Sequence, residues 1–264
     1  NFFIMRIAVC LSGQLRQWEQ GVDNQKWFWT TGNKPEVQVD YFAHTWNYSW
    51  DRPAVSQEYN KRDISQEELN LFEERYQLKK FEVSTRTQDT FRGNDHWSSL
   101  FYSLSKSLVL KREYEIENNF IYDVVVKSRP DVLFRPSNSF NIPFLENNVI
   151  HITHGGTMNL EYHMYNVNDI LFLGNSASMD KLNNLYFYRQ EGIEEYNIQN
   201  KKNIHVMGPG TLMHEYFREY GITPYFRTAP QCILLKEGCP QNLDLLEAEQ
   251  FDQMRTYWRN WYTK

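Results

Sequence analysis

Short apolar runs alternate with stretches of helical period through the first half of the chain. Arg-Ile-Ala-Val-Cys-Leu (6–11) is apolar without alternation, which predicts a short buried strand. Trp18 to Trp29 is a predicted helix, and Val37 to Trp46 is a second strand that ends in His44-Thr45-Trp46. Asn47 to Asp63 is polar and aromatic with no clear period, so a long surface loop is expected there. Ser65-Gln66-Glu67-Glu68 fits a capping box, and Leu69, Phe72 and Tyr76 continue it as an amphipathic helix. Lys80 to Val83 predicts a third strand, and Thr85 to Asn94 a polar loop of the kind that folds over a site. Trp97, Phe101, Leu104 and Leu108 form one core-facing stripe at helical spacing. Ser98, Ser99, Tyr102, Ser103 and Lys106 lie largely off it, and the small residues among them let a ligand or another backbone approach closely.

The stretch Tyr122 to Phe134 organises the rest. Its β-branched run predicts a central strand. Pro130 cannot donate to a sheet ladder, so the strand should stop at Ser128-Arg129-Pro130-Asp131. That leaves a cation and a carboxylate side by side where a central strand ends, the place where open α/β sheets bind ligands. An ion pair that closes the strand end is the competing reading. Val149 to Thr153 and Asp169 to Gly174 predict further strands, and Ser176 is expected to cap a helix carrying Met179, Leu182, Leu185 and Tyr186. Pro209 starts a helix with Leu212, Tyr216, Phe217 and Tyr220 inward, and Gly221 stops it. Tyr225 to Leu235 predicts one or two closing strands, and Leu243 to Trp261 a last helix. Strands that alternate with helices give an α/β class with a mainly parallel sheet and a less regular C-terminal part.

Composition narrows the partners. With 28 Lys+Arg against 33 Asp+Glu and no basic tract, nucleic acid is not expected as a partner. Cys10, Cys232 and Cys239 have no CxxC spacing, which argues for a reducing compartment and against a disulfide framework. No apolar run approaches a membrane span, and the opening residues carry no charged leader with a long apolar core, so a cytoplasmic location is expected. Aromatics make up 16% of the chain; most must fill the core, and rings on a polar background also stack on sugar faces. The predicted C-terminal helix carries Phe251, Met254, Trp258 and Trp261 with Arg255 and Arg259, a face expected to pack on the body or on a dimer partner rather than on a membrane.

Several motifs occur in a fixed order: Ile-Ala-Val-Cys-Leu-Ser-Gly-Gln-Leu-Arg (7–16), Phe-Ala-His-Thr-Trp (42–46), Leu-Phe-Tyr-Ser-Leu (100–104), Tyr122 to Phe134, Asn-Asp-Ile-Leu-Phe-Leu-Gly (168–174) with Met179-Asp180, and Gly-Pro-Gly-Thr-Leu (208–212). Together they resemble a family of small GT-A-like glycosyltransferases found in bacterial surface-polysaccharide clusters and in phages, marine phages included. The resemblance implies a single GT-A-like, Rossmann-type domain over 1–264, with residues of about 5–135 binding the nucleotide sugar and about 136–264 forming the acceptor part. It implies a sugar-nucleotide donor, most often a UDP-hexose or UDP-N-acetylhexosamine, and a glycan or other hydroxyl acceptor. The Ser12 to Arg16 loop would contact the nucleotide, Arg129 and Asp131 would occupy the place of the donor and metal motif, and Asp169 would lie near the transferred sugar. This chain departs from the pattern in having no Asp-x-Asp anywhere, and in having Gly210 where related sequences often carry Glu.

Glycosyl transfer needs charge on the leaving diphosphate neutralised, an acceptor hydroxyl activated and the sugar held. The expected donor contacts are Ser12, Gly13, Gln14, Arg16, His44, Tyr102, Lys106, Arg129 and Asp131, with Arg16, Lys106 and Arg129 as phosphate cations. Asp131 is the expected ligand of a divalent cation, Mn²⁺ or Mg²⁺; otherwise Arg and Lys neutralise the phosphates. Asp169, with Glu161 behind it, is the candidate catalytic base or sugar anchor, although Asn-Asp before a strand is also ordinary turn chemistry. His154, His163, His205 and His214 are weaker metal candidates, each better explained as structural. The alternative is a catalytically inactive nucleotide-sugar-binding or assembly protein of the same fold. A different Rossmann-like enzyme is disfavoured because no G-x-G-x-x-G follows the first strand.

Overall fold

The apolar run at the start forms β1 (Met5–Ser12), and its last six residues are buried. In the computed structural model β1 lies inside a seven-stranded sheet, between β6 (Val124–Ser128) and β2 (Val37–Trp46). The structure describes residues 4–30, 37–51, 60–85, 96–134, 145–153, 158–159, 164–165, 170–189, 209–227 and 232–234. β5 (Lys80–Ser84) completes one side of the sheet; β11 (Phe172–Gly174), β8 (Val149–Thr153) and β12 (Thr223–Arg227) complete the other. Six of the seven strands run the same way, and only β11 is reversed. The mixed α/β architecture with a mainly parallel central sheet flanked by helices is thus the one expected from the alternation.

Helices cover both faces of the sheet at β1 and β6, whose residues 7–12 and 124–128 are all buried, while the edge strand β5 stays half-exposed. Ile7, Val9 and Leu11 point to one core with Trp18, Val22, Phe28 and Trp29 of α1 (Trp18–Thr30) and Leu69, Phe72 and Tyr76 of α2 (Gln66–Tyr76). Ala8 and Cys10 point to the other, with Phe101, Leu104 and Leu108 of α3 (His96–Glu117). Met179 of α4 (Ser176–Asp180) and Leu212, Met213, Tyr216 and Phe217 of α5 (Pro209–Glu219) share that second core. The path of the chain matters for function. From β1 it runs through α1 and α2 to β2 and β5 on one side, then crosses by α3 to β6 on the other side of β1.

Three local expectations need correction. The stretch 47–63 is not simply a loop: β3 (Tyr48–Asp51) and β4 (Asn60–Asp63) pair as an antiparallel hairpin, with Tyr48 and Ser49 buried. Its second strand is polar and exposed over 61–63, and from there Arg62 binds Glu68 and the Leu15 carbonyl. Ser176 is not the cap of α4. Asn175 is, accepting from the Ser178 N–H, and this frees the Ser176 hydroxyl for a buried cluster. Tyr220 is 38% exposed and stacks on Tyr216 rather than pointing inward. The capping box at α2 is half present: Ser65 accepts the Glu68 N–H, while the Glu68 carboxylate turns to Arg62 and the Trp18 indole. The predicted helix at 243–261 and the loop at 86–94 lie outside the described residues.

α3 is tied to α4 by charge at the far end of the sheet. Lys111 is fully buried, and its Nζ lies 2.9 Å from Glu115, 2.8 Å from Asp180 and 2.6 Å from the Ser176 hydroxyl. Glu115 also accepts the Tyr122 N–H at 2.9 Å, so the cluster fixes where α3 hands over to β6. Removing one member of such a cluster leaves buried charge uncompensated. We expect Lys111→Met to lower the unfolding free energy by about 3–5 kcal/mol in urea denaturation. An unchanged midpoint would show that the cluster is not a structural tie.

Candidate functional site

The strands β1, β2, β5 and β6 all end at one edge of the sheet, at Ser12, Trp46, Ser84 and Ser128. Because the chain leaves β1 to one side and returns to β6 on the other, the order reverses between these two strands. A crevice opens at such a switch point, beyond the carboxyl ends of the strands. Leu11 is paired with Ser128, so the Ser12-Gly13 turn and the Ser128–Asp131 turn flank it. The hydroxyls of Ser12 and Ser128 are both fully buried here, with no hydrogen-bond partner among the described residues.

The Arg129–Asp131 turn is held from below by α1. The Gln25 side-chain amide donates to the carbonyls of Arg129 (2.9 Å), Pro130 (3.2 Å) and Val132 (2.9 Å). Asn24 clamps Phe134 in both directions, donating to its carbonyl at 3.0 Å and accepting its N–H at 2.7 Å. That grip places β7 (Val132–Phe134), which pairs with β13 (Cys232–Leu234) outside the main sheet. Gly21 completes the contact: a Cβ there would lie 2.8 Å from the Pro130 carbonyl oxygen, so the helix can approach only without a side chain. So held, Arg129 and Asp131 form a bidentate pair, Nε to Oδ1 at 2.8 Å and Nη2 to Oδ2 at 2.7 Å. Asp131 is 2% exposed and Arg129 19%. The ion pair at the strand end is therefore the arrangement present.

On the β1 side, Gly13 takes φ of +125°, open to glycine, and its N–H donates to the Ser103 hydroxyl at 2.8 Å. The Thr45 hydroxyl donates to the Gly13 carbonyl at 2.9 Å. Gln14 accepts from the Arg16 guanidinium, which bends Arg16 back over the same loop. His44 is buried between Ser103 (Nδ1, 2.9 Å) and Ser84 (Nε2, 3.0 Å). The network is satisfied when Ser103 donates to the His44 carbonyl and accepts from Gly13 N–H and Nδ1–H, with Nε2 accepting from Ser84. Burial, reinforced by the charge of Lys106, lowers the His44 pKa to about 3. His44 is a neutral tie between three strand ends.

Tyr102 packs against His44, Trp46 and Tyr186. Lys106 pairs with Glu82 of β5 at 2.9 Å, a bond that raises its pKa, and lies over the Tyr102 ring. β5 is three strand spacings from β6, about 14 Å, so Lys106 flanks the crevice and does not join Arg129. Ser12, Gly13, Gln14, Arg16 and His44 are thus gathered at β1 and β2, with Arg129 and Asp131 across the switch point. Asp169, Glu161, His154, His163 and His205 lie outside the described residues, as does the side chain of His214. Sequence reasoning missed Asn24, Gln25, Thr45 and Ser84, and it missed Lys127, a cation 1% exposed within β6. The signal for Lys127 was a charged residue inside a run buried on both faces.

Among the described residues, Asp131 is the carboxylate expected to meet the divalent cation that the resemblance implies. Both oxygens of Asp131 are engaged by Arg129, and no group of three or more His, Cys, Asp or Glu among the described residues could hold a metal ion. A cavity of about 740 Å³ lies at the opposite end of the sheet, lined by Arg112, Glu115, Ile116, Phe120, Ile121 and Asp180 among others. Its carboxylates are the ones already paired with Lys111 and Arg112.

The chain matches no protein-family model and no curated protein. Among solved structures it is similar to galactosyltransferase LgtC in complex with donor and acceptor sugar analogs, at 13% identity and a TM-score of 0.47, covering 97% of this chain and 100% of that one. It is also similar to a nucleoside-diphosphate-sugar pyrophosphorylase from Vibrio cholerae RC9, at 11% identity and a TM-score of 0.37, covering 88% and 96%. Likeness at this level says nothing of activity. No helix among the described residues is long and apolar enough to cross a membrane.

The His44 arrangement has a pH consequence. The unfolded imidazole takes up its proton near pH 6.5 and the folded one only near pH 3, so the contribution is complete above 6.5 and is lost as pH falls towards 3. Between pH 6.5 and 4.5 we expect urea stability to fall more steeply in the native chain than in His44→Gln, by about 1.4 kcal/mol per pH unit. Equal slopes in the two proteins would contradict a neutral, locked His44.

Proposed function

We propose that this protein is a sugar-nucleotide-dependent glycosyltransferase that takes its donor, a UDP-sugar by preference, into the crevice between the ends of β1 and β6. One observation carries the reading: the topological switch point coincides with the paired Arg129 and with two buried, unpartnered hydroxyls. A diphosphate supplies oxygens for a guanidinium and for serine donors, which apolar or cationic ligands do not. In the transfer, the acceptor oxygen bonds to the anomeric carbon as the bond from that carbon to the phosphate oxygen breaks. The electron pair leaves on the diphosphate, and the acceptor proton passes to a base. Asp169 is our candidate for that base, with Glu161 as the second choice. Arg129 meets the charge that grows on the leaving group. A glycan or other hydroxyl compound is the acceptor.

The second reading, a binding or assembly protein that has lost catalysis, is favoured by the closure of Asp131 under Arg129, which removes one carboxylate from the crevice. Thermal melting with UDP-, GDP-, ADP- and CMP-sugars, followed by an assay of donor hydrolysis, separates the two. A ligand that binds only the folded chain raises its melting temperature. We expect one nucleotide sugar to do so and to be slowly hydrolysed. A shift with no hydrolysis, and no transfer to any glycan acceptor offered, would favour the binding protein. No shift with any of them would overturn both readings.

A further inference from the structure

We infer that nucleotide-diphosphate binding at the switch point needs no divalent cation, because Arg129 already holds both oxygens of Asp131, the carboxylate expected to take the ion. The inference rests on the function proposed above. Within the pair the cation is the outward member: Arg129 is 19% exposed and Asp131 2%. The carboxylate lies behind the guanidinium and is bound by it through both oxygens, at 2.8 and 2.7 Å. A divalent ion reaching Asp131 would have to displace a bidentate, charge-assisted pair and would then face the released guanidinium.

The backbone does not let Asp131 swing away instead. Gln25 holds the carbonyls on both sides of it, those of Pro130 and Val132, and the missing side chain of Gly21 brings α1 into contact with the same turn. Asp131 is then a positioning residue: it neutralises part of the cost of holding Arg129 at a buried strand end and fixes the plane of its fork. The phosphate-facing cation is Arg129 itself, whose planar donors match two phosphate oxygens better than a point charge would.

Isothermal titration of the full chain with UDP, GDP and ADP, in excess EDTA and in Mn²⁺, tests this. The expected result is binding of at least one diphosphate with the same affinity in both buffers. Arg129→Gln should weaken it by about tenfold or more, a loss of about 1.4 kcal/mol. Arg129→Lys, which keeps the charge and loses the fork, should fall between the two. Asp131→Asn should weaken binding while leaving it insensitive to Mn²⁺. Circular dichroism of each variant confirms that it is folded. Binding seen only with Mn²⁺, or Mn²⁺ enhancement that disappears in Asp131→Asn, would overturn the inference and leave the proposed function standing. A folded Arg129→Gln variant with native affinity would also overturn it. No binding of any diphosphate in either buffer would overturn the proposed function, and this inference with it.

Discussion

The side-chain amide of Gln25 reaches from α1 to three carbonyls of the Arg129–Val132 turn, and the position of the Arg129–Asp131 pair depends on that grip. A proline-containing turn at the end of a buried strand has carbonyls that no ladder satisfies. Leaving such groups unpaired costs about 1–3 kcal/mol each, so the turn needs a donor from outside itself. Gln25 provides it, Asn24 extends the grip to Phe134, and Gly21 removes the side chain that would hold the helix away. The helix that follows the Ser12–Arg16 loop thereby fixes the opposite wall of the crevice. One rigid element joins the two halves of the site.

The same economy of polar groups runs along the sheet. Its middle is mostly apolar on both faces, and buried charge gathers at strand ends and helix junctions, with Lys127 inside β6 and Asp40 inside β2 as the exceptions. Lys111 with Glu115 and Asp180 occupies one end; Arg129 with Asp131, and neutral His44 between two serines, occupy the other. The two ends differ in what is left over. At the α3–α4 end the Ser176 hydroxyl is bonded into the cluster, whereas at the crevice the Ser12 and Ser128 hydroxyls have no partner among the described residues. The ligand site proposed above lies at the end that carries those two hydroxyls.

Features governed by local chemistry were legible in the sequence. β1, β2 and β6 are apolar because helices cover both faces, and Pro130 marks where β6 stops. Ser65 announces α2, and Arg129 beside Asp131 announces the ion pair that closes the end of β6. Features made by distant contacts were not legible. Gln25 and Asn24 are separated by more than 100 residues from the backbone they hold, and nothing in α1 distinguishes them from solvated polar residues. Ser103 belongs to the β1 turn only through Gly13 and His44, and the pairing of Lys106 with Glu82 joins residues 24 apart in the chain. The β3–β4 hairpin was hidden because its second strand, Asn-Lys-Arg-Asp, is polar throughout and exposed over 61–63, so no apolar alternation marks it.

Hydrogen exchange with and without UDP, read by peptide mass spectrometry, tests most directly the claim that ligand binds across the β1–β6 switch point. The account predicts that peptides covering 12–16 and 128–132 are protected together, since one ligand contacts both turns and α1 couples them. Protection confined to 112–121 and 176–180, around the cavity at the other end of the sheet, with the two turns unchanged, would contradict it.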